Sequence, residues 1–208
     1  MDEGNDLKRK RAPRRQGKIP TEETLAAAAL FYLGRYAASE ASLRRVMLNK
    51  IRRAALTNPT FADDAALQAR LRAVLETLVA KYKRLGVIDD DAFAAMKVAS
   101  LRRSGGSARK IAAKLASKGV ASSVVTAALD RIEEETGGTS EKAAALAFAR
   151  RRALGPFRKR PKDEDPRRQR QKDLATLLRA GFSMEMARAV LGGTAVDDED
   201  EYSKANIK

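Results

Sequence analysis

The chain has 208 residues, with 42 Lys and Arg against 27 Asp and Glu, a net charge of +15 and a pI near 10.3. It has no His and no Cys, which removes the commonest general base, the commonest metal ligand, thiolate metal sites and disulfides. Aromatic residues are 5% with no Trp, which argues against a large aromatic-lined ligand pocket, and the 44% apolar content is rich in alanine, so any core needs close helix approach.

Residues 1–20 carry Lys8, Arg9, Lys10, Arg11, Arg14, Arg15 and Lys18 among Pro13, Gly17 and Pro20, the composition of a disordered basic arm. Such an arm either meets phosphates or serves as a solubilising tail. It leads into Thr21-Glu22-Glu23 rather than an apolar signal region, and no window approaches the roughly 18 apolar residues of a membrane span, so a cytoplasmic protein is expected. Thr21 starts a first helix with Leu25, Ala28, Ala29, Tyr32, Leu33 and Tyr36 on one face. Ser39 caps a second, with Leu43, Met47, Ile51 and Ala54 inward. Thr57-Asn58-Pro59-Thr60 is expected to be a loop. A long helix over about 63–85 turns Leu67, Leu71, Val74, Leu75, Leu78, Tyr82 and Leu85 inward and ends at Gly86. Asp89-Asp90-Asp91 starts the next, where Phe93, Met96 and Ser100 follow a helical spacing up to Gly105-Gly106. Ser107 fits an N-cap, Ala108, Ile111, Ala112 and Leu115 form one stripe, and Gly119 ends that helix. Val125, Ala128, Leu129 and Ile132 form another stripe, which runs to a joint at Gly137-Gly138. Ser140 caps a helix with Ala144, Ala147, Phe148 and Arg151 on related positions; Leu154-Gly155-Pro156-Phe157 breaks it, and residues 158–168 look too polar and proline-rich to be helical. Leu174, Leu177 and Leu178 mark a helix stopped by Gly181. Ser183 caps a last one, with Met186 or Ala187, Val190 and Leu191 inward.

A repeat emerges: helix, break, helix, break, helix, three times over. Short helices with one apolar face are unstable alone and must cover one another. The expected fold is all-α, three tandem three-helix repeats over 21–88, 89–136 and 137–193 in an elongated array, straight or curved, with a single compact bundle as the alternative. A disordered arm (1–20) precedes them and an acidic disordered tail (194–208) follows. Gly119-Val120 aligns with Gly181-Phe182, and Ala128-Leu129 with Val190-Leu191.

No enzyme argument survives. Without His or Cys the usual nucleophilic triads are absent. The Asp89–Asp91 run sits where a helix start favours negative charge, and Gly105-Gly106 and Gly137-Gly138 lack the spacing of a phosphate loop. No catalytic, cofactor-binding or metal-binding residue is assigned, and no cofactor is expected. Ile111 to Leu129 has helix-turn-helix spacing, but its second helix offers Ser122, Ser123, Thr126 and Asp130, which is poor chemistry for base reading. The cations form a distributed set instead. Arg44, Arg45, Lys50, Arg52 and Arg53 mark the first repeat, and Arg102, Arg103, Arg109, Lys110 and Lys114 the second. Arg150, Arg151, Arg152, Arg158, Lys159, Arg160, Arg167, Arg168, Arg170 and Lys172 mark the third. Stacked repeats would join them into a basic track for DNA phosphate, read without sequence specificity, or for an acidic protein groove beside DNA. Any single Arg is equally well read as a solvated side chain. The acidic run Asp197-Asp198-Glu199-Asp200-Glu201 is either a solvated tail or a segment that folds back on the track and competes with DNA.

Several of these segments resemble the RecX family of bacterial recombination regulators. The resemblance covers about residues 21–192 and rests on Ala29-Leu30, on Arg35-Tyr36-Ala37-Ala38-Ser39-Glu40, and on Leu85-Gly86-Val87-Ile88-Asp89-Asp90 leading into Phe93. It also rests on Lys118-Gly119-Val120, on Gly155-Pro156-Phe157-Arg158 and on Ala180-Gly181-Phe182-Ser183. Each is a capping or packing signature, and their order along the chain is the specific feature. The resemblance implies tandem three-helix repeats and a partner, the RecA recombinase filament on DNA, whose strand exchange, ATP hydrolysis and coprotease activity such proteins modulate. The partners expected are therefore RecA and the DNA backbone, with no membrane, for a protein acting as a monomer. A general DNA-binding helical protein without RecA is the alternative.

Overall fold

The computed structural model describes residues 17–159 and 165–192. The basic arm over 1–16, Arg160 and the acidic run 197–201 lie outside the described residues. Among those described, the structure is all-α, with ten helices and no strand. They are α1 (Glu22–Arg35), α2 (Glu40–Thr57), α3 (Pro59–Asp63), α4 (Ala65–Arg84), α5 (Asp90–Arg103), α6 (Ala108–Ala116), α7 (Ser122–Glu135), α8 (Ser140–Arg152), α9 (Pro166–Arg179) and α10 (Met184–Val190). A 3-10 turn, Gly155–Phe157, lies between α8 and α9. The chain forms two compact units: the described residues of Met1–Ala38 with Ser42–Ile88, and those of Ser39–Ala41 with Asp89–Lys208.

In the first unit Thr21 builds a reciprocal cap. Its hydroxyl accepts the Thr24 amide at 3.2 Å, and the Thr24 hydroxyl accepts the Thr21 amide at 2.8 Å. The core gathers Leu25, Leu43, Ile51, Leu71 and Leu75, all essentially without exposure. Each such side chain contributes about 2 kcal/mol, whereas the exposed Glu22–Arg70 ion pair (2.8 Å) contributes at most about 1. Burial therefore holds this unit together. Residues 17–20 are tied down rather than part of a free arm: the Gly17 carbonyl accepts from Asn58 Nδ2 at 3.0 Å, and Pro20 is buried. The expected loop at 57–60 is instead the start of α3. Asn58 caps it, its Oδ1 accepting the Phe61 amide, and Pro59 takes the first helical position, where no amide hydrogen is needed. Phe61 is fully buried, a core residue the helical spacing did not reveal. Tyr36 and Leu85 are exposed because each follows its helix at the C-cap, off the inward register.

The second unit has two cores. Phe93, Ala94, Val98, Ile111, Leu115 and Val125 build one, from α5, α6 and α7. Phe148, Ala149, Leu177, Phe182, Ala187 and Val190 lead the other, from α8, α9 and α10. On α5 the inner face is Phe93, Ala94, Val98 and Leu101; Met96 and Ser100 point to solvent, one register away from the expected stripe. Ser107 caps α6 by accepting the Lys110 amide (3.2 Å) and donates its proton to the Ala180 carbonyl (2.7 Å), so one hydroxyl joins a helix start to the end of α9. The aligned glycines perform the same closure. Val120 N–H reaches back to the Leu115 carbonyl and Phe182 N–H to that of Leu177, both at 3.2 Å, with Gly119 and Gly181 in the left-handed region. Two boundaries differ from expectation. Thr139, not Ser140, precedes α8, and the free Ser140 and Glu141 amides donate to the Glu133 carboxylate (3.2 and 2.9 Å). Residues 166–168 are helical, because Asp165 accepts the Arg167 amide and Pro166 takes the first position of α9.

Candidate functional site

The described candidate cations separate into exposed groups and groups engaged inside the fold. On α2, Arg45, Lys50, Arg52 and Arg53 are exposed, while Arg44 is half-buried and paired with Glu76 of α4 at 2.9 Å. In the second unit Arg103, Lys110, Lys114, Lys159, Arg167, Arg168 and Arg170 are exposed. Arg109 is exposed too, with one nitrogen donating to the Leu178 carbonyl (3.0 Å). Arg150 and Arg152 lie over the rings of Phe157 and Phe148, at 5.2 and 5.9 Å from the centroids, and Lys172 is exposed.

Two candidates are structural. Arg102 is 5% exposed and bonds Glu141, Glu133 (3.2 Å) and the Gly106 carbonyl (3.2 Å). Burial pulls its guanidinium below the usual arginine value, and the nearby Glu133 charge opposes that shift. Arg102, a contact candidate in the sequence, thus turns its guanidinium into the fold. Arg158 is likewise committed, its guanidinium forking onto both oxygens of buried Asp173 at 2.8 and 2.7 Å. Asp173 further accepts from the Gly155 amide and from Gln169 Nε2, both at 2.9 Å. Burial alone would raise the Asp173 carboxyl; the hydrogen bonds and the charge of Arg158 outweigh it and hold the group below the ordinary carboxylate value.

A pH prediction follows from that sign. A lowered folded-state pKa means stabilisation that is full above the unfolded value, about 4, and lost as pH falls through the folded one. Asp173→Ala is expected to cost about 3 kcal/mol at pH 7, with Arg158 left half-buried and unpaired. The deficit should stay constant from pH 8 to 5 and narrow below pH 4. Urea unfolding at pH 7 and pH 3 measures it, and a deficit that widens in acid would refute the assignment.

Three of the sequence-marked cations line one cleft. Lys110 and Lys114 of α6 and Arg151 of α8 rim a cleft of about 190 Å³ whose lining includes Leu101, Ile111 and Phe148. Sequence reasoning missed this grouping, since the two lysines and the arginine belong to different repeats. It also missed Glu133, Glu141 and Asp173, the carboxylates that remove Arg102 and Arg158 from the surface. Asp173 had one local signal, as the lone acid in the basic stretch of α9. Among the described residues no group of three metal-ligating side chains gathers, and no helix is long and apolar enough to cross a membrane.

The helices and cores define an all-α protein of tandem three-helix domains carrying exposed cations in both units. Residues 89–129 match the family described as RecX, second three-helix domain. The regulatory protein RecX of Myxococcus xanthus (strain DK1622) is 43% identical over 195 residues, covering 92% of this chain and 97% of that protein. The regulatory protein RecX of Agrobacterium fabrum (strain C58) is 34% identical over 195 residues, covering 92% and 96%. Among solved structures, RecX from Lactobacillus salivarius superposes with a TM-score of 0.58 at 18% identity, over 82% of this chain and 94% of that one. A second regulatory protein RecX gives 0.55 at 21%, over 81% and 70%. The chain belongs to the RecX family of regulatory proteins and is not an enzyme.

Proposed function

We propose that this chain, acting as a monomer, binds the RecA filament on DNA and lowers its recombinase, ATPase and coprotease activities. The observation that carries the reading is the extent of the match: two proteins named regulatory protein RecX align over 92% of the chain. The exposed cations of α2, α6 and α8 support it, since they suit phosphate or an acidic protein groove. Each unit can bind weakly while the linked set binds well, because the second contact is intramolecular.

The test adds the protein to RecA already assembled on single-stranded DNA and follows ATP hydrolysis. Inhibition is expected at a few molecules per filament. If inhibition appeared only once free DNA was saturated, with the salt dependence of binding to bare DNA, the chain would be a general DNA-binding protein and the RecA reading would fall.

A further inference from the structure

The outer face of α1 carries an apolar stripe left open among the described residues. Ala27, Leu30, Phe31 and Gly34 recur at i, i+3, i+4 and i+7, the spacing of one helical face, and all four are exposed. Leu30 is 51% and Phe31 68% exposed, on the side opposite the buried Leu25 and Ala29. Gly34 stands in regular helix, where glycine is a weaker choice than alanine, yet a Cβ there would meet nothing within 4 Å. The packing of this chain therefore does not require that glycine. A missing side chain lets another backbone come close, so Gly34 is a notch one turn from Phe31.

The stripe holds no cation, and Glu23 stands on the same face one turn before Ala27, so phosphate finds no countercharge there. Ala27 and Leu30 offer no ring for a base to stack on, which leaves Phe31 alone and short of a single-strand platform. A protein surface fits better. The exposed apolar area is on the order of 300 Å², well short of the about 800 Å² that each partner of a stable complex buries. Two copies of the chain meeting on this stripe alone would separate, so the occupant is a partner that a second contact also holds. The exposed cations of α2 lie in the same compact unit and supply one: Arg45, Lys50, Arg52 and Arg53. A protein assembled on nucleic acid presents both kinds of surface.

We propose that Ala27, Leu30, Phe31 and Gly34 seat in an apolar groove of the RecA protomer, while phosphate is left to the cations. Phe31 fills the groove, and Gly34 lets the groove wall approach the helix backbone. Glu23 and Arg35 flank the two ends of the stripe and favour a groove with a cation at one end and an anion at the other. RecA as the occupant rests on the function proposed above.

The test measures the affinity of the full-length chain for RecA assembled on single-stranded DNA and, separately, for the bare DNA. Phe31→Ser should weaken filament binding about tenfold, as loss of a central anchor does, and leave bare-DNA binding unchanged. Gly34→Leu adds apolar surface and a better helix former, yet it should also weaken filament binding about tenfold, by filling the notch. Both variants should keep or exceed the native urea midpoint, because neither residue belongs to the core of its unit. Native filament affinity in either variant would overturn the proposal. So would an equal loss on bare DNA, the mark of a base-stacking face, or a concentration-dependent dimer that Phe31→Ser dissolves. A native chain indifferent to the filament would sink the RecA reading itself, and this occupant with it.

Discussion

Replacing Arg102 by Ala is expected to destabilise the second unit by about 3–5 kcal/mol. The side chain reaches from the end of α5 to Glu133 near the end of α7 and Glu141 at the start of α8. Those carboxylates in turn cap helices: Glu133 accepts the Ser140 and Glu141 amides, and Glu141 accepts the Ala108 amide of α6 (3.1 Å). Removing the cation leaves two partly buried carboxylates without a countercharge, and the repulsion acts on three helix ends at once. The control is Arg102→Met with Glu133→Gln and Glu141→Gln. Each glutamine keeps one acceptor oxygen, enough for the Ala108 amide and for one of the two amides held by Glu133, and no net charge stays buried, so part of the loss should return. Urea unfolding gives the magnitude, and amide exchange at Ala108, Ser140 and Glu141 gives the place. A cost under about 1 kcal/mol would make Arg102 an ordinary surface cation after all.

Gly105→Ala is the second large effect, at about 3 kcal/mol. Gly105 sits at φ +80, where a Cβ costs about 1–2 kcal/mol. The added Cβ would also stand 2.8 Å from the Phe148 amide nitrogen and 3.1 Å from the Ala144 carbonyl oxygen. Those are backbone atoms of α8, so relief requires moving a helix, adding about 1–3 kcal/mol of overpacking. Gly86→Ala separates the two contributions. Its φ is +66 with nothing within 4 Å of the added carbon, so it should cost the conformational part alone. Equal losses at the two positions would mean that the α5–α8 approach is not limited by Gly105.

Much of the helix pattern was legible because the signals are local. Thr21, Asp89, Ser107 and Ser183 cap the helices that follow them, and Gly86, Gly119 and Gly181 close those before them, within a turn of chain. Two of the misread boundaries share one cause. At Asn58-Pro59 and Asp165-Pro166 the proline suggests a break, yet an Asx cap followed by proline at the first helical position is equally a helix start. The candidate site was less legible, because burial of a charge is decided by remote partners. Arg102 and Arg103 are neighbours in one basic run, and only Glu133 and Glu141 distinguish them. The same holds for the cleft, where the close approach of Gly105 to Phe148 sets Arg151 opposite Lys110 and Lys114.

The three cores also occupy consecutive stretches of sequence. The buried members of the first run from Leu25 to Ile88, those of the second from Phe93 to Ala128, and those of the third from Ala144 to Val190. No core waits for a residue synthesised after the next one has begun. On the ribosome each can therefore close as soon as its own segment emerges, in the order of translation, and the nascent chain exposes the apolar faces of only one core at a time.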